Sequence, residues 1–217
     1  MRCPELHTEL LQPLDRGLSQ RKGIYTVKFT KVFAFMLAIV SLAILSPAQT
    51  RSSSSSPKPK VVHQDEFFVV GIEARTTAAK EMSPDGVIPQ QWQRFMQEGV
   101  MQKIPNRADQ NLYAVYTDFT NKRSGAYSVV IGAKVTNKSQ VPAGLVLKTI
   151  PAGKYAIFES GHGPAAQVIP AAWQRIADSE DKGQLGFTRA YKADYELFDA
   201  RALDPQNLRA ELHVGVN

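Results

Sequence analysis

Cysteine is nearly absent from this chain: the single one, Cys3, lies close to the amino terminus. A disulfide framework needs pairs of cysteines, and thiol chemistry needs at least one in the folded domain. Both are therefore excluded for the rest of the chain. This composition suits an oxidising compartment, in which a stray thiol is a liability.

Metal-binding and common catalytic motifs are also absent. His63, His162 and His213 show no metal-ligand spacing, so we expect no metal site. The sequence contains no Gly-Xaa-Ser-Xaa-Gly elbow and no phosphate-cradling glycine loop. We therefore expect no bound cofactor.

The excess of positive charge is concentrated at one end. The chain has a net charge of +6, but residues 1–48 hold six of its 26 Lys and Arg and three of its 20 Asp and Glu. The remainder carries only +3, with no basic stripe interleaved with aromatic residues. Because a phosphate footprint needs clustered Lys and Arg, we expect no nucleic-acid partner.

An uncharged apolar run at residues 32–45 follows Lys28 and Lys31. Its 14 residues are too few to cross about 30 Å of hydrocarbon, but they suit the core of a secretory signal peptide. Ser46 and Ala48 supply the small residues of a cleavage site. We predict a signal peptide at 1–48 and a periplasmic or extracellular protein without a stable membrane span; an uncleaved membrane anchor is the alternative.

The composition changes twice after the predicted cleavage site. Residues 49–64 include five serines and a Pro-Lys-Pro-Lys sequence, which cannot bury apolar surface and predict a solvated linker. Residues 65–217 have the apolar content of a globular domain.

The domain contains an internal repeat. Val87-Ile-Pro-Gln-Gln-Trp-Gln-Arg-Phe95 recurs as Val168-Ile-Pro-Ala-Ala-Trp-Gln-Arg-Ile176, with six identical positions at an offset of 81. Proline is tolerated in a first helical turn, and the apolar residues of each copy fall on one helix face. We predict helices at 88–101 and 169–179, each starting near its proline.

β-rich segments flank both predicted helices, so each half of the domain has the order β-α-β-β. One such unit leaves the N–H and C=O groups of a sheet edge unpaired. Two related units can pair these edges with each other and share one core. We therefore predict an α+β fold: one antiparallel sheet from duplicated β-α-β-β units, two main helices, and a ligand cleft between the halves.

Three segments carry a resemblance to a known family: Phe68-Val-Val-Gly-Ile72, the stretch from Ile150 to Phe158, and Ala193-Asp-Tyr-Glu-Leu-Phe-Asp199. With the repeat between them, they resemble the gyrase-inhibitor-like small-molecule-binding domain, also called the AraC effector-binding or integron-associated effector-binding domain. The resemblance spans residues 67–216. It implies an aromatic-lined cleft for hydrophobic, often cationic, small molecules, with a pocket glutamate that corresponds to Glu196. Family regulators carry a helix-turn-helix ahead of this domain, where this chain has the predicted export signal.

The residues around Glu196 support the same interpretation. Alternation along the strand places Asp194, Glu196 and Phe198 on one face and Tyr195 and Leu197 on the other. A carboxylate on an inner face is desolvated, so it favours a cationic partner or acts as a base with a raised pKa. An exposed strand glutamate is the alternative.

Aromatic side chains supply the predicted walls of the pocket. The candidates are Tyr116, Tyr127, Phe158 and Tyr191 on strands, and Trp92 and Trp173 at equivalent helix positions. Ring faces attract cations by about 0.5–2 kcal/mol each. The two tryptophans are equally well explained as core residues under the helices.

These observations leave three functions open. The first is non-catalytic binding of a hydrophobic, possibly cationic, molecule for sequestration or sensing outside the cytoplasm. The second is hydrolysis of a small reactive compound by Glu196 with a neighbouring tyrosine hydroxyl. The third is a protein-interaction module, which requires an exposed apolar patch.

Overall fold

The computed structural model describes residues 59–217, so the predicted signal peptide lies outside the described residues and stays a prediction. The strands are β1 (Lys60–Gln64), β2 (Phe67–Thr77), β3 (Leu112–Thr117), β4 (Ala126–Val135), β5 (Val146–Ile150), β6 (Gly153–Glu159), β7 (Arg189–Phe198) and β8 (Glu211–Val216). The helices are α1 (Ala78–Glu81), α2 (Ile88–Gln97), α3 (Val100–Lys103) and α4 (Ala165–Asp181). Across residues 59–217, no helix is both long enough and apolar enough to cross a bilayer.

All eight strands form one antiparallel sheet with the order β1-β6-β8-β7-β3-β4-β2-β5. The first half of the domain supplies β2, α2, β3 and β4, and the second half supplies β6, α4, β7 and β8. Each half contributes three neighbouring strands, and β3 pairs with β7 at the join. The predicted α+β fold of duplicated β-α-β-β units is confirmed.

The edge strands are exchanged between the halves. β1 leads into the first half but pairs with β6 of the second, and β5 leads into the second half but pairs with β2 of the first. Residues 60–64, which the sequence prediction placed in the linker, therefore form a strand. Val62 explains this difference, because it packs into a buried cluster although its neighbours on either side are exposed.

The two copies of the repeat start their helices differently. Pro89 lies in the first turn of α2, as predicted, but α4 begins at Ala165 and contains Pro170 in its interior. The prediction that both prolines mark a helix start is therefore wrong for the second copy. The first predicted helix also ends early, because Gly99 adopts a left-handed conformation with φ of 58° and separates α2 from α3.

Both faces of the sheet are buried, but by different means. On one face, α2 and α4 cover the clusters around Ile72, Ile131 and Leu212. On the other face, the rings of Phe67 on β2 and Tyr195 on β7 lie 5.3 Å apart although two strands separate them in the sheet. Neighbouring strands are about 4.8 Å apart, so this contact requires a strongly curved sheet that closes on its concave side.

Candidate functional site

The candidate site lies on the helix-covered face, where the two halves of the sheet meet. Glu196 on β7 is opposite Ala114 on β3, and Asp194 is opposite Tyr116. Because side chains two residues apart on a strand share a face, Glu196 and Tyr116 are diagonal neighbours. Phe198 lies on the same face and Tyr195 and Leu197 on the other, as the alternation predicted.

Glu196 is almost completely removed from solvent, with 1% of its surface exposed. Its Oε1 accepts hydrogen bonds from the Tyr116 hydroxyl and from Trp173 Nε1, both at 2.6 Å. Trp173 belongs to α4 and packs against clusters of both halves. No residue from 59 to 217 donates to Oε2, so this oxygen is free to bind a ligand group.

Burial raises the pKa of Glu196 from 4.5 to about 7, against the opposing effect of the hydrogen bonds from Tyr116 and Trp173. Burial, together with the charge of Glu196, holds the pKa of Tyr116 well above its usual value. Near neutral pH the carboxyl group therefore exchanges between a neutral and a charged form, while the tyrosine remains a hydrogen-bond donor.

A row of aromatic rings extends from Glu196 along the sheet. Tyr116 lies 5.2 Å from Trp173 and 5.9 Å from Tyr127, measured between ring centroids. Phe119 continues the row at 5.6 Å from both Tyr127 and Tyr191. The structure thus groups four of the predicted pocket residues with Glu196, and their contact with a ligand stays a prediction.

The other two predicted pocket residues lie apart from this row. Trp92 makes edge contacts with Phe95 and Phe198, and the ring of Phe158 packs 6.2 Å from Phe187. Among the described residues, neither ring pairs with Tyr116 or Trp173. Trp92 thus fits the description of a residue packed beneath its helix, whereas Trp173 donates directly to the buried acid.

A buried ion pair borders the site. Arg189 Nη2 lies 2.6 Å from Asp194 Oδ2, and its guanidinium group lies 4.4 Å from the Tyr191 ring and 6.0 Å from the Trp173 ring. Arg189 also bonds Glu180 at 3.2 Å. The guanidinium group of Arg189 therefore lies among aromatic rings and carboxylates, the surroundings that attract a cation.

Tyr191 is held in this position by an irregular strand. β7 has four residues between Arg189 and Asp194, whereas β8 has one between their partners Val216 and Val214. Tyr191 adopts a left-handed φ of 52°, which is unusual for a bulky residue, and its hydroxyl donates to Glu180. This bulge directs the ring toward Phe119, which simple alternation along the strand does not predict.

Sequence reasoning did not identify Glu81, which lies near Tyr127 in the middle of the aromatic row. Its carboxylate accepts from the backbone N–H groups of Val87 and Ile88 at 2.9 and 3.1 Å, and from the hydroxyl of Thr76. Thr76 is directly opposite Tyr127 in the sheet. An acid seven residues before the start of α2 was the available signal, because carboxylates stabilise helix amino termini.

The site is closed in this structure, since Glu196 is covered by Tyr116 and Trp173. A cavity of about 470 Å³ lies beside it at the end of α4. Its lining residues are Glu180, Gly183, Leu185, Gly186, Phe187, Thr188 and Arg189. Arg189 lines this cavity and its guanidinium carbon lies 6.0 Å from the Trp173 ring, so it is the residue that the cavity and the site share.

Comparison with known proteins identifies the family to which this arrangement is related. Residues 60–216 match the family described as integron-associated effector binding protein. The YobU protein of Bacillus subtilis is 25% identical over 157 residues, covering 72% of this chain and 96% of YobU. The transcriptional regulator BrlR of Pseudomonas aeruginosa is 29% identical over 160 residues, covering 72% of this chain and 54% of BrlR.

Two solved structures share the fold. The integron cassette protein VCH_CASS2, from the mobile metagenome of Vibrio cholerae, has a TM-score of 0.60 at 24% identity, covering 74% of this chain and 97% of that chain. SAV2435, solved with tetraphenylphosphonium bound, has a TM-score of 0.60 at 18% identity, covering 73% of this chain and 93% of that chain. At these identities the similarity shows the fold alone. The family resemblance seen in the sequence is confirmed by the family match.

Proposed function

Because this chain belongs to the family of integron-associated effector binding proteins, we propose that its folded domain binds a small lipophilic cation at Glu196. One observation carries this proposal. Glu196 is a buried carboxylate with one oxygen that receives no hydrogen bond from residues 59–217, and it lies at the end of a row of aromatic rings.

The electrostatics of the site favour a cation. An ionised carboxylate loses hydration energy when it is buried, and the raised pKa of Glu196 is the result. A positive charge placed beside the free oxygen restores that energy, and the faces of Tyr116 and Trp173 add cation–π attraction. A permanently charged, weakly hydrated ligand loses little on entering such a site, whereas a strongly hydrated ammonium ion loses much more.

The known ligand of a protein with the same fold supports this class of molecule. SAV2435 was solved with tetraphenylphosphonium, a lipophilic cation. The aromatic row and buried acid described above provide the two features that such a cation requires. Tetraphenylphosphonium is therefore the probe with which the proposal is tested.

We expect the purified protein to bind tetraphenylphosphonium in isothermal titration at pH 8, and Glu196→Gln to weaken that binding at least about tenfold, or about 1.4 kcal/mol. Glutamine keeps the size and the acceptor for Tyr116 and Trp173 but removes the charge. Glu66→Gln, at an exposed position of the same domain, is the control and should bind like wild type. Equal affinity in wild type and Glu196→Gln would contradict the proposal. Absence of binding in wild type would instead favour a protein-interaction module.

We also propose that the domain acts outside the cytoplasm, in sequestration or sensing. This proposal rests on the apolar run at 32–45 and the small residues before Gln49. BrlR is a transcriptional regulator, and this chain covers 54% of it. Amino-terminal sequencing of the protein from fractionated cells tests the proposal: a chain starting at Gln49 in an exported fraction is expected, and an intact chain confined to the cytoplasm would refute it.

A second candidate function is supported by the contact between Tyr116 and Glu196. A tyrosine hydroxyl 2.6 Å from a carboxylate with a pKa of about 7 is an acid–base pair suited to the hydrolysis of a small electrophile. Incubation with activated esters and epoxides distinguishes the two functions. Consumption by wild type that is lost in both Glu196→Gln and Tyr116→Phe would establish the hydrolase, and no turnover is expected of a binding protein.

A further inference from the structure

Gln91 is a buried polar residue whose amide nitrogen has no partner within residues 59–217. It lies on the buried face of α2, one turn from both Ile88 and Phe95, and only 5% of its surface is exposed. Its Nε2 is shielded from solvent and has no hydrogen-bond acceptor among the described residues. A buried amide that makes no hydrogen bond destabilises the folded protein, so its presence calls for an explanation.

The internal repeat shows that packing does not require an amide here. The offset of 81 between the two copies aligns Gln91 with Ala172 and Trp92 with Trp173. Ala172 is 1% exposed on the buried face of α4. A small apolar residue therefore fills the equivalent place in the second half of the same fold, so packing alone does not account for the glutamine.

The place of Gln91 in the fold connects it with the candidate site. α2 packs on β2 and β4, the strands that carry Thr76 and Tyr127. Its buried face belongs to the cluster that also contains Tyr116 and Tyr127. The helix that carries this amide therefore covers the side of the sheet on which Tyr127 of the aromatic row lies.

We propose that Gln91 is a specificity-determining residue whose amide N–H donates to an acceptor oxygen of the bound cation. This inference rests on the proposed function, because it concerns the same ligand. The preferred ligand is then a lipophilic cation that also carries a carbonyl or ether oxygen, with its charge at Glu196 and its oxygen toward α2. Because this amide is already unpaired in the unliganded protein, a ligand that carries an acceptor gains a buried hydrogen bond that a ligand without one does not.

The experiment compares tetraphenylphosphonium, which has no hydrogen-bond acceptor, with its analogues bearing one acetyl group at the 2-, 3- or 4-position of a single ring. Affinities are measured by isothermal titration for wild type, Gln91→Ala and Gln91→Met. Alanine reproduces the second copy of the repeat, and methionine keeps the side-chain volume. Gln93→Ala removes an exposed glutamine from the same helix and is the control.

We expect wild type and Gln93→Ala to bind at least one acetyl isomer about tenfold more tightly than tetraphenylphosphonium. Both Gln91 variants should lose this preference while their affinity for tetraphenylphosphonium stays within about twofold of wild type. Two results would overturn the role of Gln91 while leaving the proposed function intact. One is a preference for an acetyl isomer that survives in Gln91→Met, and the other is a wild type that binds tetraphenylphosphonium but prefers no acetyl isomer. No binding of any phosphonium would overturn the proposed function and this inference together.

Discussion

Replacing Arg189 with methionine is expected to lower the free energy of unfolding by about 3–5 kcal/mol. The Arg189 side chain is 6% exposed and the Asp194 side chain 1%, so their ion pair is buried. Methionine keeps much of the volume of the arginine stem but leaves the Asp194 carboxylate without its counter-ion. The loss therefore reflects an uncompensated buried charge, with a smaller contribution from the cation–π contact to Tyr191.

Urea denaturation of two further variants identifies the cause. Asp194→Asn, combined with Arg189→Met, keeps an acceptor for the Gly215 N–H group and removes the charge, so we expect it to recover about 1–2 kcal/mol. Arg123→Met removes a half-exposed ion pair to Asp181 and should change stability by less than about 1 kcal/mol. A single Arg189→Met variant as stable as Arg123→Met would show that the buried pair contributes little.

Glu196→Gln is expected to stabilise the unliganded protein by about 2–3 kcal/mol at pH 8 and to have almost no effect at pH 4.5. The folded protein holds the Glu196 pKa at about 7, above its ordinary 4.5. Between pH 4.5 and about pH 7 the folded state binds more protons than the unfolded state, so wild-type stability decreases as the pH rises. Above pH 7 the charged form is buried in full, and the neutral glutamine avoids this penalty.

Urea denaturation of wild type and Glu196→Gln from pH 4.5 to pH 8.5 measures this difference directly. The gap between the two proteins should open between pH 4.5 and 7 and then remain constant. The exposed Glu66→Gln variant should follow wild type throughout. A gap of the same size at every pH would mean that glutamine acts through packing rather than through the charge of Glu196.

The sequence contains enough information for the core of this fold and for its buried acid. The Trp-containing repeat at an offset of 81 predicted the duplicated units, since apolar periodicity and turn residues depend on local physics. Strand alternation predicted that Glu196 and Phe198 share a face. Tyr116 was among the residues selected because it is an aromatic residue on a predicted strand, but its pairing with Glu196 depends on strand order and register, which only the folded sheet determines.

Other features depended on tertiary contacts that periodicity does not report. Val62 is in a strand because β6 provides a partner more than 90 residues away. Pro170 lies inside α4 because packing of that helix compensates for the missing N–H group. The position of Tyr191 depends on a bulge in β7, and bulges break the alternation from which side-chain direction is predicted. These are the elements where long-range packing prevails over local preference.

The proton count on ligand binding tests the central claim, that a buried Glu196 must ionise to hold a cation. Tetraphenylphosphonium does not titrate, so any proton released when it binds comes from the protein. Titrations in two buffers of different ionisation enthalpy should show release of about 0.9 protons per ligand at pH 6 and about 0.1 at pH 8. Glu196→Gln should release almost none at either pH. Equal, near-zero release by wild type at both pH values would contradict the account.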